Sequence, residues 1–211
     1  MRVDLHSHTM WSGDSTTTPE EVEEAVIASA IDVLCVTDHN SIRGATELAQ
    51  RLPCRVVVGE ELRTHAGEII GLFLTEHVPF GVSPREAAER IRAQGGLVYV
   101  PHPFDPMRRN LSEAALVDLV DAGLVDAIEV FNAKTSLPHL NERAATFAAE
   151  RSLAAGAGSD AHVPDAIGAA YVEIPDFTDA ASFLASLGDG VVVGHHFDAA
   201  RPWRARIVPS T

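Results

Sequence analysis

Cysteine is scarce, basic residues are outnumbered, and no long apolar run interrupts the chain; each shortage removes a class of protein. Two cysteines, Cys35 and Cys54, in 211 residues cannot make a disulfide framework. Both lie inside apolar runs, where small buried thiols are common, so a reduced, intracellular setting is expected. Sixteen Lys and Arg stand against thirty Asp and Glu, a formal charge of −14. That balance disfavours duplex nucleic acid and anionic membrane surfaces as partners. It also leaves no basic, aromatic-lined groove for single strands. A small anionic substrate remains possible where bound metal reverses the local sign. No stretch approaches the ~20 apolar residues that cross a bilayer, and the opening residues lack a charged region followed by an apolar core. A soluble cytoplasmic protein is the expectation.

Fixed-period repeats, low-complexity tracts and composition breaks are missing too, which argues for one domain over residues 1–211. With 46% hydrophobic residues the chain can bury a full core. Short β-branched runs at 33–37, 55–59, 68–74, 97–100, 127–131 and 171–174 alternate with amphipathic segments, the pattern of repeated β/α units. Thr18-Pro19-Glu20-Glu21 combines an N-cap hydroxyl, a first-turn proline and a capping-box glutamate, starting a helix that runs to about Ser29. Ser83-Pro84-Arg85-Glu86 repeats the device before a helix ending near Gly95. Further helices are expected over 112–122, 140–151 and 178–187. A barrel-like α/β unit is the economical architecture. The segment from His196 to Thr211, with Arg201, Pro202, Trp203, Arg204 and Arg206, is locally basic and reads as a solvated terminus, a final surface strand being the alternative.

Ligand-type side chains recur where strands end and loops begin, the place where α/β folds build active sites. Asp4, His6 and His8 open the chain at two-residue spacing, so a strand aims them one way, with His6 and His8 about 7 Å apart and able to reach one ion. Asp14 follows, then Asp38 and His39, Glu60 and Glu61, and His102. Asp160 and His162 repeat the same-face spacing near the other end. A ring of strands would join the two pairs. Imidazole and carboxylate without thiolate suit Zn, Mn or Fe, and Glu61 can bridge two ions. A lone histidine beside a strand is more often a satisfied core or surface residue, but so many ionisable groups crowded together without metal would repel or stay unpaired.

Taken in order, Asp4-Leu-His-Ser-His-Thr9, Thr37-Asp38-His39-Asn40, Gly59-Glu60-Glu61, Pro101-His102-Pro103, Ile128-Glu129-Val130-Phe131-Asn132 and Gly158-Ser159-Asp160-Ala161-His162 resemble the PHP domain, the polymerase and histidinol phosphatase superfamily. The match runs from His6 to about Gly168. The resemblance implies a distorted (β/α)7 barrel, TIM-barrel-like, with a centre of two or three metals and phosphoesterase activity. It implies ligand roles for His6, His8, Asp14, His39, Glu61, His102, Asp160 and His162. Trinuclear relatives often carry a histidine where this chain has Glu68, which either binds metal or leaves a site vacant. The chain has no length to spare for the helical insertion of nucleotide-acting relatives, so a more open pocket is expected.

The expected function is hydrolysis of a small phosphomonoester or phosphodiester by a metal-bound hydroxide. Clustered metals acidify water, contact phosphoryl oxygens and clamp the attacking and leaving groups. Glu61 would bridge, and His39 or His162, whichever is left partly free of metal, would protonate the leaving oxygen. Asp4 and Asp38 are expected to orient imidazole N–H groups or to be ordinary strand-end carboxylates. Arg63, Arg108, Arg109 and Lys134 follow strand ends and could meet a phosphate, although each alone also fits a solvated surface. Asn132 would point into the barrel mouth or cap a turn. His65, His77, His139, His195 and His196 read as surface residues. Competing readings are an amidohydrolase, for which no strand end offers a lysine to be carboxylated, a nuclease acting on short oligonucleotides, and a non-catalytic metal-binding module. Substrate identity and oligomeric state are not written in the sequence.

Overall fold

The computed structural model describes residues 1–197; the basic stretch from Arg201 to Arg206 lies outside the described residues. The elements are β1 (Arg2–Ser7), α1 (Pro19–Ser29), β2 (Val33–Val36), α2 (Arg43–Leu48), β3 (Arg55–Thr64), β4 (Gly67–Leu72), α3 (Pro84–Ala93), β5 (Leu97–Val100), α4 (Glu113–Asp121), β6 (Ala127–Asn132), α5 (Pro138–Arg151), β7 (Ala154–Gly158), β8 (Ala170–Glu173), α6 (Ala180–Gly188) and β9 (Val191–Gly194). Both helix-start signals operate. The Thr18 hydroxyl accepts the Glu21 N–H while the Glu21 carboxylate accepts the Thr18 N–H, and Ser83 accepts the Glu86 N–H. Strands β7 and β9 and helix α2 add to the elements expected from sequence.

Nine strands form one sheet in the order β7-β6-β5-β4-β3-β2-β1-β8-β9. Strands β1 to β3 run parallel, as do β5 to β7, and β4 runs antiparallel to both its neighbours. Strand β8 is reversed too, antiparallel to β1 and to β9, and these two reversals distort the barrel. The sheet curls until the residues after β7 meet β1: the Asp160 N–H donates to the His6 carbonyl at 2.8 Å and the His8 N–H to the Ala161 carbonyl at 2.9 Å. Gly158 permits this approach, because a Cβ there would lie 2.3 Å from that of His6. The result is the nearly closed α/β barrel that the alternation implies.

Burial drives the closure. Leu34 and Val36 of β2 pack with Val22 and Val26 of α1 and Leu48 of α2, while Ile69, Val98, Val100 and Ile128 pack with Ile91, Leu116 and Leu140 of α3 to α5. Each such side chain contributes roughly 1.5–3 kcal/mol when fully buried. The apolar faces of the helices thereby fix the strands. The polar residues at the strand ends are left to share the barrel mouth.

Candidate metal centre

Nine side chains meet at that mouth. His6 lies on β1 and His8 just beyond it, Asp14 in the following loop, His39 after β2, Glu61 on β3, Glu68 on β4, His102 after β5, and Asp160 and His162 after β7. Their ligand atoms form four overlapping groups, each with all atoms within 4.8 Å of one another: His8, Asp14, His39 and His162; His6, His102 and Asp160; His6, His8 and Glu61; and His39, Glu61 and Glu68. Glu61 sits at the middle. One of its oxygens lies 3.0 Å from His102 Nε2, and the other lies 3.5 Å from His6 Nε2, 3.3 Å from His8 Nε2 and 3.1 Å from His39 Nδ1. Glu68, left open by the sequence, joins the cluster with its carboxylate 3.7 Å from His39 Nδ1 and 3.9 Å from His102 Nε2.

Whether these residues fit metal turns on where their lone pairs point. His6 Nδ1 lies 3.1 Å from Glu129 Oε1, and His8 Nδ1 lies 3.0 Å from Ser12 Oγ, whose own hydrogen goes to Asp14. With both Nδ1 atoms donating, both Nε2 lone pairs face inward, and the two Nε2 atoms are 3.0 Å apart beside the Glu61 carboxylate. Packed this closely, they need positive charge among them, which a proton on His6 supplies in the metal-free chain and a bound ion would supply in its place. His102 Nδ1 and His39 Nδ1 are buried without an aligned hydrogen-bond partner among the described residues. An all-nitrogen-and-oxygen set of this kind fits Zn, Mn or Fe.

Electrostatics carries the same mark. Burial pushes His6 down, but the carboxylates of Glu129, Glu61 and Asp160 outweigh it and hold the imidazole well above its usual pKa. His8 is driven the other way, to about 3, by burial and by neighbouring His162. Burial opposes ionisation of Glu61 and Asp160, yet the cations around them hold both carboxyls low. Glu68 rises to about 7 through burial and the adjacent charge of Glu61. Backbone strain adds to the picture: His102 and Asp160 take φ values of 29° and 48°, a region that non-glycine residues enter at a cost.

Several expectations need correction. Asp4 and Asp38 organise backbone instead of imidazoles: Asp4 accepts N–H groups of His6, Ser159 and Gly168, and Asp38 accepts the N–H and hydroxyl of Thr9. The carboxylate that orients a ring is Glu129, buried at mid-strand in β6; a charge inside the apolar run Ala127–Phe131 was the available signal. Asn132 does face the mouth, donating to Glu129 and Asp160. Glu60 turns away from the cluster to His77, 2.7 Å off, and His77 is half-exposed and paired instead of merely solvated. His65, His139, His195 and His196 are exposed. Arg63, Arg108 and Arg109 line the cavity at the mouth, and the Lys134 ammonium lies 3.5 Å from Asp160 Oδ1.

The fold and site together are a nearly closed α/β barrel whose mouth gathers a histidine and carboxylate cluster able to hold metal. A model of the PHP domain matches residues 4–133 and a PHP-associated model matches residues 138–192. The chain belongs to the PHP family. It is 41% identical over 146 residues to the uncharacterized protein MJ1587 of Methanocaldococcus jannaschii, covering 63% of this chain and 82% of that protein. Among solved structures it resembles a two-domain protein from Bacteroides vulgatus containing a predicted PHP-like metal-dependent phosphoesterase, with a TM-score of 0.73 at 18% identity over 92% of this chain. The match spans 65% of that two-domain chain. An amidohydrolase from Chromobacterium violaceum with bound sulfate and no metal aligns with a TM-score of 0.67 at 18% identity, covering 92% of this chain and 98% of that one.

Proposed function

We propose that the protein is a metal-dependent phosphoesterase that hydrolyses a small phosphomonoester or phosphodiester. The observation that carries the reading is the convergence of nine ligand-type side chains in overlapping groups around Glu61. His6, His8, Asp14, His39, Glu61, Glu68, His102, Asp160 and His162 would hold two or three divalent ions, Mn, Zn or Fe. Ions held there activate water and neutralise phosphoryl charge.

The protein's own residues do the rest. Glu129 and Ser12 fix the two β1-end imidazoles, and Glu61 links the halves of the cluster. His39 and His162 both line the cavity, so whichever is left partly free returns a proton to the leaving oxygen. The cavity is about 150 Å³. That is room for a phosphoryl group and ions but below the size of whole-ligand pockets, so the organic part of the substrate lies outside it.

The amidohydrolase reading gains one observation and loses on another. Lys134, the only lysine in the chain, reaches the site from just beyond β6. A carboxylated lysine there would be redundant, because Glu61 already supplies the shared carboxylate. The test is to measure bound metal, then screen phosphomonoesters, phosphodiesters and short oligonucleotides with added Mn, Zn or Fe, alongside His8→Ala and Asp160→Ala. We expect metal and hydrolysis in the wild type and loss of both in the variants. Hydrolysis that survives both substitutions and chelation overturns the reading, while metal without turnover on any substrate points to a non-catalytic module.

A further inference from the structure

Five large apolar side chains are exposed among the described residues, and two of them, Met107 and Leu137, stand on the loops after β5 (101–112) and β6 (133–137). Exposed apolar residues scattered singly need no explanation. These two are not scattered, because the carboxylate of buried Asp105 holds both loops. Its Oδ1 accepts the Met107 N–H at 2.9 Å and the Ser136 hydroxyl at 2.7 Å, and its Oδ2 accepts the Ser136 N–H at 2.8 Å. The backbone at Met107 and the backbone beside Leu137 therefore share one anchor. On its far side the first loop is tied to β4, where the Glu68 N–H donates to the Arg109 carbonyl at 2.8 Å.

Met107 is also the one apolar residue lining the cavity at the mouth among the described residues; the ten others are ionisable. It is 78% exposed, so its thioether is left without cover among the described residues. The cavity of about 150 Å³ takes a phosphoryl group and ions, and the rest of a substrate must pass over the lip on which Met107 stands. The ionisable groups around that lip lose hydration when an apolar group is laid on them. Met107 gains by the same contact, and its flexible thioether adapts to a flat ring. We infer, on the phosphoesterase reading above, that Met107 and Leu137 form an apolar step that receives the organic group of the ester. The substrate class that this step selects carries an aryl or alkyl group on its phosphate instead of a polyhydroxylated one.

Met107→Gln is the sharp variant. It keeps the length of the side chain and the N–H that Asp105 accepts, and a substitution at so exposed a position leaves folding intact. The probes are phenylphosphonate and methylphosphonate, which share a phosphoryl head, differ in the organic group and have no ester bond to hydrolyse. Each is titrated calorimetrically into the Mn-loaded protein, with metal content measured on the same samples. We expect the wild type to favour phenylphosphonate about tenfold, and the preference to shrink about fivefold in Met107→Gln and further when Leu137→Gln is added. Affinity for methylphosphonate and metal content should stay unchanged. Comparing the ratio between proteins cancels the intrinsic difference between the two ligands. In turnover, kcat/KM for phenyl phosphate should fall by the same factor while that for glycerol phosphate holds.

A wild type that binds the two phosphonates alike overturns the step. So does an equal loss of both in Met107→Gln, which would make the residue a support of the cavity. The two readings separate cleanly. A phenyl preference that depends on Met107 in a protein that hydrolyses no ester sinks the function and keeps the step, whereas turnover with the preference indifferent to Met107→Gln does the reverse.

Discussion

The two halves of the metal centre are built to different standards. On the side of β1 and β7, His6 and His8 have their outer nitrogens engaged by Glu129 and Ser12, and Asp160 is met by Asn132, Arg108 and Lys134. On the side of β2 to β5, His39 and His102 each keep a buried nitrogen without an aligned partner, and Glu68 is pressed against the charge of Glu61. The first half is organised before any ion arrives. The second crowds two carboxylates, Glu61 and Glu68, against two imidazoles that each keep a buried nitrogen without an aligned partner. Preorganised donors bind more tightly, so if the cluster holds ions, the three groups that include His6 or His8 are expected to fill before the group of His39, Glu61 and Glu68.

The largest effect should come from breaking the ordered half. Asp160→Ala removes a carboxylate that faces His6, His8 and two cations. Metal analysis should show loss of ions from both halves, with activity down by more than the ~10–100-fold typical of an orienting partner. Glu129→Gln comes next: it leaves all nine ligand-type residues in place but weakens the fixed orientation of His6. Metal affinity measured by competition with a chelator should drop about 10–100-fold. Unaltered affinity would mean that the ring is held by packing alone, and the contrast between the halves would lose its cause.

A smaller effect is expected from the frustrated half. Glu68→Gln removes one of two crowded carboxylates, and the protein should lose about one equivalent of metal while the β1 and β7 side stays filled. Equal loss from all sites would show a single cooperative centre. Unchanged stoichiometry would make Glu68 a partner of Arg63, 3.2 Å away, and nothing more.

How much of this was legible in sequence follows from the range of the signals. Strand-end histidines and carboxylates announce themselves by local position, and the fold brings nine of those that the sequence singled out within reach of one another at the mouth. Closing the barrel needed more than periodicity: β7 is Ala-Ala-Gly-Ala-Gly, with no β-branched run, because Tyr99 and His6 occupy the space that side chains on Gly156 and Gly158 would take. Orienting groups are the hardest to see. Glu129 reaches His6 across 123 positions and Asp105 reaches Ser136 across 31, distances at which no spacing rule operates. Asp4 is the converse: its spacing from His6 is that of a same-face pair, yet its carboxylate is taken up by the backbone N–H groups of His6, Ser159 and Gly168.

The most delicate test of the two-halves contrast is the pH dependence of stability once metal is removed. In the folded chain Glu68 ionises at about 7, raised first by burial and then by Glu61, and His39 at about 8, where the charges of Glu61 and Asp14 overcome burial. Asp4 and Asp38, both raised chiefly by burial, ionise at about 6. All four hold protons that the unfolded chain has released, so each contribution to stability is lost as pH rises through the folded value. His8, lowered to about 3, acts in the opposite sense, but its effect is complete once pH passes its ordinary value of 6.5. Between pH 6.5 and 8 the signs therefore agree. The melting temperature of chelator-treated protein should fall by a few degrees across that window, on the scale of about 1 kcal/mol in a domain of this size. Protein reloaded with Mn should hold nearly level, because the ion takes the place of those protons. A chelated protein whose melting temperature stays flat or climbs over the same window would show that the β2 to β5 side is relaxed without metal, and that the difference between the halves is one of geometry alone.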